Sequence, residues 1–173
     1  MSRGANLEER KLFGTNGVRG IVNKELTPEL VLKLSMATGT YFRGTDLAVG
    51  CDGRLSSPLF LEVVCSGLAS VGCQVWNLGM ITTPALQYLA KQWGLKGSVM
   101  VTASHNPPEY NGMKVMGNSG VELPHEEESE IEHIFFQSKW KLCEWDRVKQ
   151  SLPVAEKFDG YVASILKNVG GAP

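Results

Sequence analysis

The sequence predicts an α/β fold: a three-layer α/β/α arrangement around a mixed, mostly parallel sheet of about four strands plus a small hairpin. Two observations carry this. Short apolar segments of strand length alternate with longer segments whose apolar residues recur at helical spacing. In addition, Ser/Thr-Pro pairs stand where the helices should begin: Thr27-Pro28, Ser57-Pro58 and Thr83-Pro84. A Ser or Thr at the N-cap accepts a hydrogen bond from a free backbone N–H. Proline at the next position costs nothing, because its missing N–H would have lacked a partner.

The first helix is predicted over Pro28 to Phe42, with Leu30, Leu34, Ala37 and Tyr41 on its inner face. The second runs from Pro58 to Val71, burying Leu61, Val64, Cys65 and Leu68, with Gly72 as its left-handed stop. The third runs from Pro84 to Trp93, with Leu86, Leu89, Ala90 and Trp93 inward and Gly94 beyond it. Strands fit between them at Leu47–Cys51, Gln74–Leu78 and Ser98–Thr102. A hairpin of Met113–Met116 and Val121–Leu123 follows, then a helix from Pro124 to Phe136 carrying Ile131, Ile134 and Phe135 inward. Its early glutamates suit the positive end of the helix dipole. Trp140 and Trp145 suggest packing in the mixed stretch after it. A last helix, Ala155 to Val169, bears a stripe of Phe158, Tyr161, Val162, Ile165 and Val169. That stripe either docks back on the domain or meets a surface outside this chain. The organisation predicted is one domain over residues 1–150 and a linker helix over 151–173 that leads into a further domain.

At 173 residues, 43% hydrophobic and 20% charged, the chain has the composition of a globular domain. A formal net charge of -1 gives no reason to expect nucleic acid or an anionic membrane as a partner. No apolar run reaches membrane-spanning length and no signal-peptide pattern opens the chain, so a cytoplasmic location is expected. The cysteines Cys51, Cys65, Cys73 and Cys143 form no CxxC pair and no zinc spacing. Cys51 and Cys65 read as reduced core thiols.

Ligands of an open α/β sheet bind beyond the carboxyl ends of its strands. Those ends carry Asp52-Gly53-Arg54, Ile81-Thr82-Thr83 and Ala103-Ser104-His105-Asn106-Pro107. Arg54, Thr82, Ser104 and His105 are therefore candidates for one site. The segment Thr102–Lys114 is the densest: its two prolines stiffen the loop, and Asn111-Gly112 is a turn pair that would bring Lys114 toward Ser104. A serine, a histidine and a lysine held together suit phosphoryl transfer, where positioning and charge neutralisation do most of the catalysis. Near the start, Phe13-Gly14-Thr15-Asn16-Gly17-Val18-Arg19-Gly20 offers glycines whose amides can turn to an anion and an arginine that can fork onto phosphate oxygens. Thr15, Gly17, Arg54 and Asn106 are the candidate phosphate contacts. The same segment also reads as a plain glycine-rich hairpin.

From Lys11 to about Phe136 these motifs, in this order, resemble the α-D-phosphohexomutases, specifically their N-terminal domain I. The features that match are Phe13–Gly20, Leu26-Thr27-Pro28-Glu29, Val49–Arg54, Thr82-Thr83-Pro84-Ala85 and above all Thr102–Lys114. Cys51 departs from the family's usual residue before the aspartate. The resemblance implies that Ser104 carries a phosphate, gives it to a hexose phosphate and takes the other phosphate back from the hexose bisphosphate. Phosphate would thereby move between the 1- and 6-positions. It implies that His105 and Lys114 serve proton transfer and charge, that Arg19 supports the phosphoserine and that Asn106 shapes the loop. It implies Mg2+, touched in this domain only through the phosphate on Ser104. The family holds that ion with an aspartate-rich loop of its second domain, and this chain has no Asp-x-Asp. The chain is thus expected to be a fragment, inactive as a mutase on its own, whose partners are the missing domains of the same protein. The substrate could be a mannose, glucose or glucosamine phosphate. A serine hydrolase is disfavoured because Ser104 lacks the G-x-S-x-G elbow and its neighbour His105 is adjacent in sequence. The alternative is a stand-alone, non-catalytic phosphosugar-binding or interaction module.

Overall fold

The computed structural model describes residues 12–14, 17–155 and 158–170. Its elements are β1 (Val18–Ile21), α1 (Pro28–Tyr41), β2 (Leu47–Cys51), α2 (Ser57–Ser70), β3 (Val75–Met80), α3 (Thr83–Gln92), β4 (Gly97–Val101), β5 (Tyr110–Gly117), α4 (His125–Phe136), β6 (Ser151–Pro153) and α5 (Asp159–Val169). They form one six-stranded sheet in the order β1-β5-β4-β2-β3-β6. Strand β2 pairs in parallel with β3 and β4, and β3 in parallel with β6. Strand β5 is antiparallel to β4, and β1 is antiparallel to β5.

The central strands β2 and β4 are buried along their full length, as expected of strands covered on both faces. One face packs Val49, Val99, Val101 and Val115 against α1, α2 and α4, around Leu34, Phe60, Val64, Leu68 and Ile131. The other face packs Ala48, Leu78, Met100 and Met116 against α3, around Leu86 and Leu89, with Tyr161 of α5 against Tyr88 of α3. The three expected layers are present.

Two strands escaped the sequence reading. β1 is short and glycine-containing, and β6 is a three-residue edge strand that includes a proline. The start of the segment expected to be a linker helix, Ser151–Pro153, thus contributes β6 to the sheet. The expected hairpin is replaced by a tight loop: Val121–Leu123 forms no strand and meets β5 through the isolated bridge Met116–Glu122. Asn111-Gly112 lies inside β5 and is not a turn.

The helix starts shift by a residue at two of the three Ser/Thr-Pro pairs. Thr27 caps α1 as expected, its Oγ1 accepting from Leu30 N at 3.2 Å. For α3 the cap is Thr82, accepting from Ala85 N at 3.4 Å, and Thr83 is already helical. For α2 the cap position is Ser56, without a side-chain cap bond, because the Ser57 hydroxyl is drawn into the polar cluster described below. On α1 the buried arc includes Val31, Ser35 and Thr38, and leaves Leu30 and Tyr41 half-buried. The helix packs on both α2 and α4, which turns its inner face from the expected stripe. Gly72 and Gly94 take positive φ beyond their helices, as expected. Trp93 falls at the C-cap, 40% exposed rather than inward. Trp140 packs against the core, but Trp145 sits in a 3-10 turn with 88% of its surface exposed. The stripe on α5 stays open to solvent apart from Tyr161.

Of the four cysteines, Cys51, Cys65 and Cys73 are buried and Cys143 is half-buried. Burial pushes the Cys65 thiol up to about 11 and that of Cys73 up to about 12, so both stay protonated and unreactive. None of the helices among the described residues is long and apolar enough to cross a membrane.

Candidate functional site

Because β2, β3 and β4 run in parallel, their carboxyl ends share one edge of the sheet. The loop after β4 rises from that edge and carries Ser104, exposed to solvent. Ser104 has φ 56°, in the left-handed region that costs a side-chain-bearing residue about 1–3 kcal/mol. Its backbone N–H donates to Thr102 Oγ1 at 2.9 Å. Its hydroxyl lies 3.4 Å from His105 Nδ1, a pair that can exchange a proton. An exposed serine hydroxyl next to an imidazole is an arrangement that can serve a nucleophile or a group carrier.

Arg54 shapes this loop. Its Nη2 donates to the carbonyls of Ser104 at 3.0 Å and Asn106 at 2.7 Å. Its Nη1 donates to those of Pro107 at 2.7 Å and Tyr110 at 3.1 Å. Its Nε donates to Asp52 Oδ2 at 3.1 Å. All five N–H groups of a guanidinium are thereby engaged. The expectation that Arg54 contacts phosphate meets a different arrangement, in which the side chain holds the loop instead.

Asp52 joins Arg54 to the sheet. Its carboxylate also accepts from the Ser57 hydroxyl at 2.5 Å, the Thr102 hydroxyl at 2.8 Å and the Arg54 backbone N–H at 3.1 Å. Burial pushes its pKa up, but these hydrogen bonds and the Arg54 charge together outweigh burial and hold it below the usual carboxylate range. Buried Asn111 completes the cluster by donating to the Ser56 and Ser57 hydroxyls, each at 2.9 Å. Asp52, Ser57, Thr102 and Asn111 were not singled out in the sequence as a site of their own. The available signal was polarity at buried positions, which only pairing across the sheet makes visible.

Arg19 arrives from β1, opposite Gly112 of β5. Its Nη1 donates to Asn106 Oδ1 at 2.7 Å, while its buried Nε finds no acceptor among the described residues. The stem crosses β5 at Gly112, where an added Cβ would lie 2.9 Å from Arg19 Cγ and 2.4 Å from the Val18 carbonyl oxygen. Asn106 thus links Arg19 to the serine loop. Gly17, with φ 81°, is packed against β5, its Cβ position 2.5 Å from the Met113 carbonyl oxygen. Thr15 lies outside the described residues.

Lys114 is not brought to Ser104 by a turn. It sits mid-strand on β5, opposite Met100, and its ammonium pairs with Glu122 at 2.6 Å. Thr82 shares the edge but acts as a helix cap. His125 and His133 are exposed on α4. Among the described residues no three His, Cys, Asp or Glu side chains gather to hold a metal ion. The carboxylate of the cluster, Asp52, is already engaged by two hydroxyls and Arg54.

Residues 10–142 match the family model for the α/β/α domain I of phosphoglucomutase/phosphomannomutase. A phosphoglucosamine/phosphogalactosamine mutase of Sulfurisphaera tokodaii is 48% identical over 161 residues, covering 92% of this chain and 35% of that protein. A phosphoglucomutase/phosphomannomutase of Thermococcus kodakarensis is 42% identical over 164 residues, covering 92% of this chain and 36% of that protein. The chain therefore spans about a third of the length of the curated relatives it matches. A solved phosphoglucomutase/phosphomannomutase family protein of Burkholderia thailandensis superposes with a TM-score of 0.75 at 24% identity, over 91% of this chain and 35% of that one, and shares its fold.

Proposed function

This chain belongs to the phosphoglucomutase/phosphomannomutase family as its α/β/α domain I, and from that membership we propose that it supplies Ser104 as the phosphoryl carrier of a sugar-phosphate mutase. The observation that supports this most is the strained, exposed Ser104 with its hydroxyl 3.4 Å from His105 Nδ1.

The bond between phosphorus and Ser104 Oγ breaks as a hydroxyl of the hexose phosphate attacks. The proton of that hydroxyl leaves to a base, Ser104 Oγ takes up a proton as it leaves, and a hexose bisphosphate results. The bisphosphate then returns its other phosphoryl group to Ser104 Oγ, which loses that proton as the new bond forms, while the sugar oxygen set free takes up a proton. In this reading His105, 3.4 Å from the Ser104 hydroxyl, gives the proton to Ser104 Oγ in the first half and takes it back in the second. Arg19, oriented through Asn106, adds positive charge beside the loop, in line with phosphoryl transfer relying on charge neutralisation, while the ammonium of Lys114 is paired with Glu122. The substrate class is a hexose phosphate, with mannose, glucose and glucosamine phosphates as the candidates.

The family chemistry also brings Mg2+. The residues described here do not form a site for it, and the chain's contribution would be one contact through a phosphate on Ser104.

Intact-mass measurement and peptide mapping test the proposal. The purified protein, or the protein incubated with a hexose 1,6-bisphosphate, is expected to carry one phosphoryl group on Ser104 and none in a Ser104→Ala variant. Phosphate mapping elsewhere, or an unmodified Ser104 under both conditions, would contradict it.

A further inference from the structure

Arg54 does more than hold a loop in place. It gathers the carbonyls of Ser104, Asn106, Pro107 and Tyr110 toward one guanidinium. In a planar trans peptide the C=O of one residue points opposite to the N–H of the next, and the chain has no cis bonds among the described residues. Turning four carbonyls inward therefore turns the following nitrogens outward. Two of those nitrogens belong to Pro107 and Pro108, which have no N–H. A third belongs to Asn111, which lies inside β5. Only His105 remains. Its N–H faces away from Arg54 and takes no acceptor among the described residues, and both Ser104 and His105 are exposed.

We propose that Arg54 is a positioning residue that presents the His105 backbone N–H to the phosphoryl group on Ser104. The inference rests on the reading of Ser104 as a phosphoryl carrier. It gives the two prolines a purpose beyond stiffness: they remove competing outward donors and leave a single one beside the serine. It also accounts for the positive φ of Ser104, which sets the direction of the Ser104–His105 peptide. A donor aimed at phosphate oxygens by a fixed backbone needs no reorganisation when charge builds up.

Lysine should not replace Arg54. Its ammonium is a point charge with three donors, whereas the four carbonyls and Asp52 are met by a planar fork with five.

The test uses the full chain with phosphoserine installed genetically at position 104, compared with the unmodified chain at one fixed pH. In 15N–1H spectra the His105 amide is expected to move downfield more than any other loop amide on phosphorylation, and its hydrogen exchange to slow about tenfold. In Arg54→Lys with the same installed phosphoserine, the downfield shift is expected to be lost while the remaining spectrum stays dispersed. An Arg54→Ala variant that stays folded should behave likewise, and if it unfolds the Arg54→Lys variant decides. A His105 amide that does not respond to phosphoserine, or that responds equally in the Arg54→Lys variant, overturns the inference. Installing the phosphate separates this outcome from the carrier proposal, which fails instead if unmodified Ser104 never accepts phosphate from a hexose bisphosphate.

Discussion

Thr102 Oγ1 and Ser104 are tied together across the turn that follows β4: the threonine oxygen accepts the Ser104 N–H at 2.9 Å while its own proton goes to Asp52 at 2.8 Å. One buried hydroxyl therefore connects the strained serine to the carboxylate that holds Arg54. Thr102→Val keeps the shape and removes both bonds. The Ser104 N–H that loses its partner is only half-buried, and a hydrogen bond of this kind contributes about 0.5–1.5 kcal/mol net. We expect Thr102→Val to lower the unfolding free energy by about that amount in urea titration, and to speed hydrogen exchange at the Ser104 amide beyond the change at β4.

Asp52 sets a pH dependence with a definite sign. Its folded-state pKa lies below the ordinary carboxylate value, despite burial, because of Ser57, Thr102 and Arg54. Its contribution to stability is then fully present above the unfolded-state pKa of about 3.9 and fades as pH falls through the depressed folded value. Between pH 6 and pH 3 the wild-type unfolding midpoint should fall more steeply than that of Asp52→Asn. Equal slopes for the two proteins would mean that this carboxylate is not linked to folding.

Gly112 is required by two strands at once. A Cβ there would meet the Val18 carbonyl oxygen at 2.4 Å and the Thr102 carbonyl oxygen at 2.8 Å, both backbone atoms that cannot swing aside. Overpacking of this kind typically costs about 1–3 kcal/mol. Gly112→Ala should therefore lower the thermal midpoint clearly, and also displace Arg19 from Asn106. Gly160, near the start of α5, has nothing within 4 Å of its Cβ position. Gly160→Ala should leave the midpoint unchanged or raise it.

How much of this was legible in the sequence depends on the range of the interaction. The α1, α2 and α3 helices and the β2, β3 and β4 strands follow from periodicity and punctuation within a dozen residues, and their ends fell within a residue or two of the reading. β1 and β6 did not, because three- and four-residue strands carry no period and exist through their partners, β5 and β3. The site divides in the same way. Ser104 and His105 were evident as neighbours on a stiff loop. Asn111-Gly112 misled, since the dipeptide has the chemistry of a turn, yet here the asparagine is buried on Ser56 and Ser57 and the glycine yields space to Arg19. The work of Arg54 was not readable either, because four carbonyl partners at least fifty residues away decide it.

Ser104 itself should show a conflict between stability and function. At φ 56° a serine is strained, whereas a glycine is at ease. Replacing it by glycine removes the strain but adds backbone entropy to the unfolded chain, and replacing it by alanine keeps the strain. Ser104→Gly is therefore expected to be more stable than Ser104→Ala by about 1 kcal/mol, although glycine is normally the less stable of the two. Both variants should be unable to carry phosphate. Denaturant unfolding of the two, alongside wild type, checks the order. An alanine variant as stable as the glycine one would mean that the loop relaxes once the hydroxyl is gone, and that Arg54 and Thr102 do not enforce the left-handed backbone.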